Sequence, residues 1–118
     1  MKFSRILGLV AMLGAFTLAA SAAEVKGILM DKMCSMKAAT GGQTAAKNHE
    51  RSCALMPPCE KSGYGVFTAD NRFLTLDPKG NVMAAKALRE STKKDDLTVT
   101  VVGAIKGQTI DVASLKLD

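Results

Sequence analysis

The alternation of apolar and polar residues along the chain is the feature that most limits its fold, because a period of two is typical of strands with one buried face. Five segments have this strand-like pattern, at residues 24–30, 64–67, 73–76, 97–105 and 109–117. Turn-forming residues near 70–71 predict a hairpin of the second and third strands, and those at 106–107 join the last two. The alternation slips at residues 113–114, where we expect a bulge.

A helix is predicted between the third and fourth strands, since residues 82–91 have apolar side chains on one helical face and charged ones on the other. Five strands with a helix in that place follow the order of an OB-type barrel, which usually binds its ligand on the face of strands two and three. We therefore expect a mainly β fold, a five-stranded OB-like Greek-key barrel with a long helix-bearing first loop. A plain α+β sheet with the same order of elements is the alternative.

The first loop of this barrel, residues 31–61, is polar and rich in Ala, Lys, Cys and Met. A helix is predicted at residues 44–55, where Thr44 is a suitable cap and the alanines and charged residues favour helix. Pro57 and Pro58 are expected to end that helix. The loop would lie beside the expected binding face.

The N-terminal residues 1–23 have the pattern of a cleavable signal peptide. Lys2 and Arg5 precede an uncharged segment, and small residues follow it, so cleavage is expected after Ala22 or one residue later. This predicts a periplasmic or secreted protein, in which residues 24–118 form a single OB-like domain with no membrane span after cleavage. An uncleaved N-terminal anchor helix is the alternative.

The charge of the chain gives little support for nucleic-acid binding. Cleavage would remove Lys2 and Arg5 from the 16 basic residues, which stand against 11 acidic ones, so only a mild positive excess remains. The lysines are scattered, tryptophan does not occur and aromatic residues make up 4% of the chain. We therefore expect no nucleic-acid partner.

The side chains with the most distinctive chemistry lie in the first loop, and they are Cys34, His49, Cys53 and Cys59. Within the predicted helix, His49 and Cys53 are four residues apart and share a face. Three thiolates and an imidazole form a known tetrahedral set for zinc. Soft sulfur from nearby methionines would favour Cu(I) instead. These methionines are Met30, Met33, Met36 and Met56. The sequence thus predicts a zinc or copper site made by the three cysteines and the histidine.

A disulfide is the main alternative to a metal site, because cysteines of exported proteins usually pair and such a bond stabilises a small domain by about 2–4 kcal/mol. The three cysteines allow three pairings, and each leaves one thiol over. The chain would then be a structural or interaction domain of the cell envelope, whose barrel face contacts a protein or a polymer. Thiol redox chemistry is a third interpretation, weakened because no Cys-x-x-Cys pair occurs.

Two further residues have structural interpretations. Asp31 follows the first strand and is expected to cap or turn the chain rather than to orient a ligand. Tyr64 stands between two glycines and is expected to pack in the space that they leave. The sequence contains no phosphate-binding loop, serine nucleophile motif or paired-carboxylate arrangement, so the predicted function is a non-enzymatic binding module.

One segment resembles a known group of proteins. The run from His49 to Cys59 (HERSCALMPPC), followed by residues 62–65 (SGYG), resembles small exported bacterial proteins of unknown function. The strand-turn-strand ending at residues 99–112 is similar to bacterial OB-fold modules. The resemblance covers nearly all of the mature chain, but only the histidine-cysteine segment is specific. It implies an OB-like fold rather than an activity.

Overall fold

The computed structural model describes residues 22–118. The predicted signal peptide, residues 1–23, lies outside the described residues except for Ala22 and Ala23, and its removal stays a prediction. The strands are β1 (Ala23–Asp31), β2 (Tyr64–Thr68), β3 (Phe73–Leu76), β4 (Thr98–Lys106) and β5 (Thr109–Leu117). The helices are α1 (Lys32–Lys47), α2 (Arg51–Ala54), α3 (Pro57–Ser62) and α4 (Pro78–Glu90). Within these described residues, none of the helices is long and apolar enough to cross a membrane.

Across residues 22–118, five strands close into a barrel with neighbours in the order β1-β2-β3-β5-β4. β1 pairs antiparallel with both β2 and β4, which closes the barrel, while β3 and β5 run parallel. Leu29, Val66, Val101 and Ile110, from four of the strands, are fully buried in one hydrophobic core. With α4 between β3 and β4, this is the order of an OB-type barrel, and the predicted fold is confirmed.

The β4–β5 hairpin follows the sequence pattern closely. Gly107 has a φ of +62°, in the left-handed region that glycine adopts without strain, so the tight turn falls where it was predicted. The register shifts between Val102 and Gly103, which leaves Ala113 as an extra residue of β5. The predicted bulge at residues 113–114 is therefore confirmed.

Helix α4 begins at Pro78, earlier than the predicted start at residue 82. The Asp77 side chain accepts a hydrogen bond from the Gly80 amide at 2.9 Å and so caps the helix. Pro78 occupies the first turn, where its fixed φ suits a helix and its missing N–H has no helical partner to lose. Leu88, from the predicted apolar face, is buried, and the helix packs against β5.

The connection between β1 and β2 is more helical than predicted, and the single helix predicted at residues 44–55 is wrong. α1 begins directly after β1 because the Asp31 side chain caps it through the Cys34 amide. The sequence pattern missed α1 because the side chains that it buries are alanines, which give no wide apolar face. Gly42, with a φ of +65°, kinks α1 within its bounds.

Pro57 and Pro58 begin a helix instead of ending one. They stand in the first turn of α3, where proline is tolerated because the N–H groups there have no partner within the helix. α1 ends at Lys47, so His49 lies between α1 and α2 and does not share a helical face with Cys53 as predicted. The extra helices bring the described residues to 40% helix and 37% strand.

The face of β2 that an OB-type barrel usually offers to a ligand is covered here by the chain itself. Every residue from Tyr64 to Phe67 is buried, and α1 and α4 pack against this strand. Tyr64 is buried as predicted, and its hydroxyl donates a hydrogen bond to the Ala54 carbonyl in α2 at 2.7 Å. The distinctive chemistry of the chain therefore lies in the helical connection rather than on an open strand face.

Candidate metal site

A buried carboxylate lies where β1 ends and α1 begins. The Asp31 residue is 0% exposed. Its Oδ2 atom accepts a hydrogen bond from the Cys34 backbone amide at 2.9 Å, and its Oδ1 atom lies 2.8 Å from Nε2 of His49. Asp31 thus caps α1, as predicted, and is also the centre of a buried polar cluster.

Two thiols lie beside this carboxylate. Cys34 is in the first turn of α1, and Cys59 is buried in the first turn of α3. A carboxylate oxygen of Asp31 and the Sγ atoms of Cys34 and Cys59 all lie within 4.8 Å of one another. Residues from a strand and two helices therefore form one compact set of donor atoms.

Hydrogen bonds between α1 and the end of α3 hold the two cysteine-bearing helices together. The Lys32 amide donates to the Gly63 carbonyl at 2.8 Å, and the Met33 amide donates to Ser62 Oγ at 3.2 Å. The same Ser62 hydroxyl donates to the Cys59 carbonyl at 2.6 Å. These bonds fix the first turn of α1 against the segment that carries the second thiol.

The electrostatics of the cluster favour an ionised carboxylate and neutral thiols. Burial would raise the pKa of Asp31, but hydrogen bonds from His49 and from the Cys34 amide outweigh it and lower that pKa below its usual value. Burial, and then the negative charge of Asp31, raise the pKa of the Cys34 thiol to about 12. The same two causes raise the pKa of Cys59. Without a metal ion, both thiols are therefore protonated at neutral pH.

His49 supports the carboxylate from the other side. Its side chain is 9% exposed. Because an ionised Asp31 can only accept, the Nε2–H group of His49 donates a hydrogen bond to Oδ1. Hydrogen bonds of this kind orient the carboxylates of metal sites. His49 lies outside the group of three donor atoms found among the described residues, so its predicted role as a ligand stays a prediction.

Cys53, the remaining predicted ligand, lies in α2 and is partly exposed. It lines a cavity of about 300 Å³ together with Met30, Cys34 and His49. The structure thus brings Cys34 and Cys59 together, places His49 one contact away, and leaves Cys53 on the wall of the adjoining cavity.

Asp31 is the member of the cluster that the sequence analysis treated as a cap alone. Its position in the sequence indicates the further role, because it ends a strand whose last residues are apolar and stands three residues before Cys34. A capping side chain and a residue in the first helical turn necessarily lie close together. An Asp-x-x-Cys pattern at a strand-to-helix junction therefore predicts a carboxylate beside a thiol.

Comparison with family models, with curated proteins and with solved structures finds no match for this chain. The five-stranded mixed barrel agrees with the OB-like fold that the resemblance implied. A relation to small exported bacterial proteins stays a prediction. The geometry of the Asp31 cluster is therefore the basis for a proposed function.

Proposed function

We propose that this chain is an exported, non-enzymatic binding module that holds one soft or borderline metal ion, zinc or Cu(I), between Asp31, Cys34 and Cys59. The observation that carries the proposal is the approach of their three donor atoms to within 4.8 Å of one another. A carboxylate and two thiolates are ligand types that Zn(II) takes in proteins. Thiolates also bind Cu(I), which prefers soft sulfur.

The spacing of the donor atoms suits a metal ion after a small contraction. With Zn–S bonds of about 2.3 Å and Zn–O bonds of about 2.0–2.2 Å, a tetrahedral site separates neighbouring donors by about 3.5–3.8 Å. The observed upper limit is 4.8 Å, so closing the site requires movements of about 1 Å. Rotation of the cysteine side chains is sufficient for a change of that size.

Titration of the reduced full chain with Co(II) tests this proposal, because Co(II) replaces zinc in thiolate sites and absorbs when sulfur binds it. We expect one equivalent to bind, with thiolate-to-cobalt absorption, and Zn(II) to displace it. The affinity should fall as the pH is lowered from about 8 to about 6.5, because both thiols must lose their protons to bind. If neither ion binds across that range, and anaerobic Cu(I) does not bind either, the metal proposal is wrong.

A disulfide-stapled structural or interaction domain of the envelope, with a protein or polymer as its partner, is the second candidate. The proximity of Cys34 and Cys59 favours it, since their sulfur atoms already lie within 4.8 Å of each other. All three cysteines are free thiols in the structure. Thiol counting on protein from its native compartment separates the candidates. One thiol that reacts at once, with two more released only by reductant, supports the disulfide. One thiol that reacts at once, with two more released by a chelator alone, supports the metal.

A further inference from the structure

Two methionines of α1, the helix that carries Cys34, have exposed side chains. Met33 is 54% exposed and Met36 is 75% exposed. Among residues 22–118, the other large apolar side chains that are strongly exposed are Met56, Val82 and Ile105. Three of these five side chains are therefore methionines from the segment that carries the cysteines, which core packing does not explain.

The two thioethers are placed to act together. Residues three apart on a helix have Cβ atoms about 5–6 Å apart, so the flexible side chains of Met33 and Met36 can reach one ion. Cys34 lies between them in the sequence and on a different side of the helix. The Met33 amide also donates to Ser62 Oγ, which donates in turn to the Cys59 carbonyl. The pair therefore borders the segments that carry both thiols.

We infer that Met33 and Met36 form a solvent-facing thioether site for Cu(I). This inference goes beyond the proposed function, because it concerns a second set of donor atoms. A thioether is neutral and soft, so it binds Cu(I) and is a poor ligand for Zn(II). It has no proton to lose, so an ion can bind there before the thiols deprotonate.

Methyl NMR of the full chain labelled at the methionine methyl groups tests this site, with Ag(I) as a probe that resembles Cu(I) and does not change oxidation state. In a variant with all three cysteines replaced by serine, the Met33 and Met36 methyl signals should shift together during the first equivalent of Ag(I). Either residue can be replaced with leucine, which is a good helix former. The Ag(I) concentration that half-saturates the signal of the remaining methionine should then rise by about tenfold, equivalent to about 1.4 kcal/mol. Anaerobic Cu(I), supplied as its bicinchoninate complex, should reproduce the pattern.

Two other methionines are internal controls. Met56 is 52% exposed, so it reports on binding to a single exposed thioether, and Met83 packs against the core. The inference is overturned if the methyl signals of Met33, Met36 and Met56 shift equally. It is also overturned if the signals of Met33 and Met36 do not shift. In the wild-type chain, the same two shifts should follow saturation of the thiols, which keeps the test valid if the serine variant misfolds. Zn(II) should leave the Met33 and Met36 signals unchanged. Because Co(II) binding by the thiols is measured separately, this inference and the proposed function can fail independently.

Discussion

Replacing Cys59 with serine is expected to weaken Zn(II) binding by more than about 100-fold, because loss of a partner outside the ligand shell already costs about 10–100-fold. Cys59 is buried, and its Sγ is one of the three clustered donor atoms. A serine hydroxyl is a far poorer ligand for zinc than a thiolate. Competition with a chelator of known affinity measures the change.

The matched control for this substitution is Cys53→Ser. Cys53 is partly exposed and lies outside the Asp31 group, so the same chemical change there should alter the affinity by less than about threefold. Circular dichroism on both variants checks that the barrel is intact. An equal loss of affinity in the two variants would contradict the assignment of Cys34 and Cys59 as the thiol pair.

Replacing Asp31 with alanine is expected to destabilise the metal-free protein by about 2–4 kcal/mol. Loss of the cap of α1 costs about 1 kcal/mol. The substitution also leaves the Nε2–H group of the 9% exposed His49 side chain without its acceptor, which costs about 1–3 kcal/mol. Urea unfolding with chelator present measures the free energy of unfolding.

The Asp31→Asn substitution separates the charge of this residue from its shape. Asparagine keeps an acceptor for the Cys34 amide, so we expect a loss of only about 1 kcal/mol. Removing the negative charge should lower the pKa of Cys34 and speed its alkylation several-fold at mildly alkaline pH. An alanine variant as stable as the wild type, or unchanged alkylation in the asparagine variant, would show that Asp31 does not organise the cluster.

The barrel was predictable because the pattern that defines each of its strands and turns lies within a short segment of the sequence. Alternation at residues 97–105 and 109–117, the glycine at position 107 and the slip at residues 113–114 each specify a strand, a turn or a bulge without knowledge of distant contacts. The order of strands and helix then leaves few arrangements that bury every apolar face.

The helical connection was less predictable because its stability depends on contacts between distant residues. α1 buries only alanines, so it lacks the apolar stripe by which helices are recognised in sequence. Its start depends on Asp31, and its place depends on bonds to Ser62 and Gly63. The sequence indicates the cysteines, but its pattern groups His49 with Cys53 on one continuous helix, which the structure breaks at residues 48–50. The close group instead joins Cys34 to Cys59.

X-ray absorption spectroscopy of the zinc-loaded wild-type chain tests the central claim most directly, because it counts the sulfur atoms bound to the metal. A site built on Asp31, Cys34 and Cys59 predicts two sulfur neighbours at about 2.3 Å, with the remaining neighbours being oxygen or nitrogen at about 2.0–2.2 Å. Three sulfur neighbours and one nitrogen, the set of Cys34, Cys53, Cys59 and His49 that the sequence pattern predicts, would contradict it.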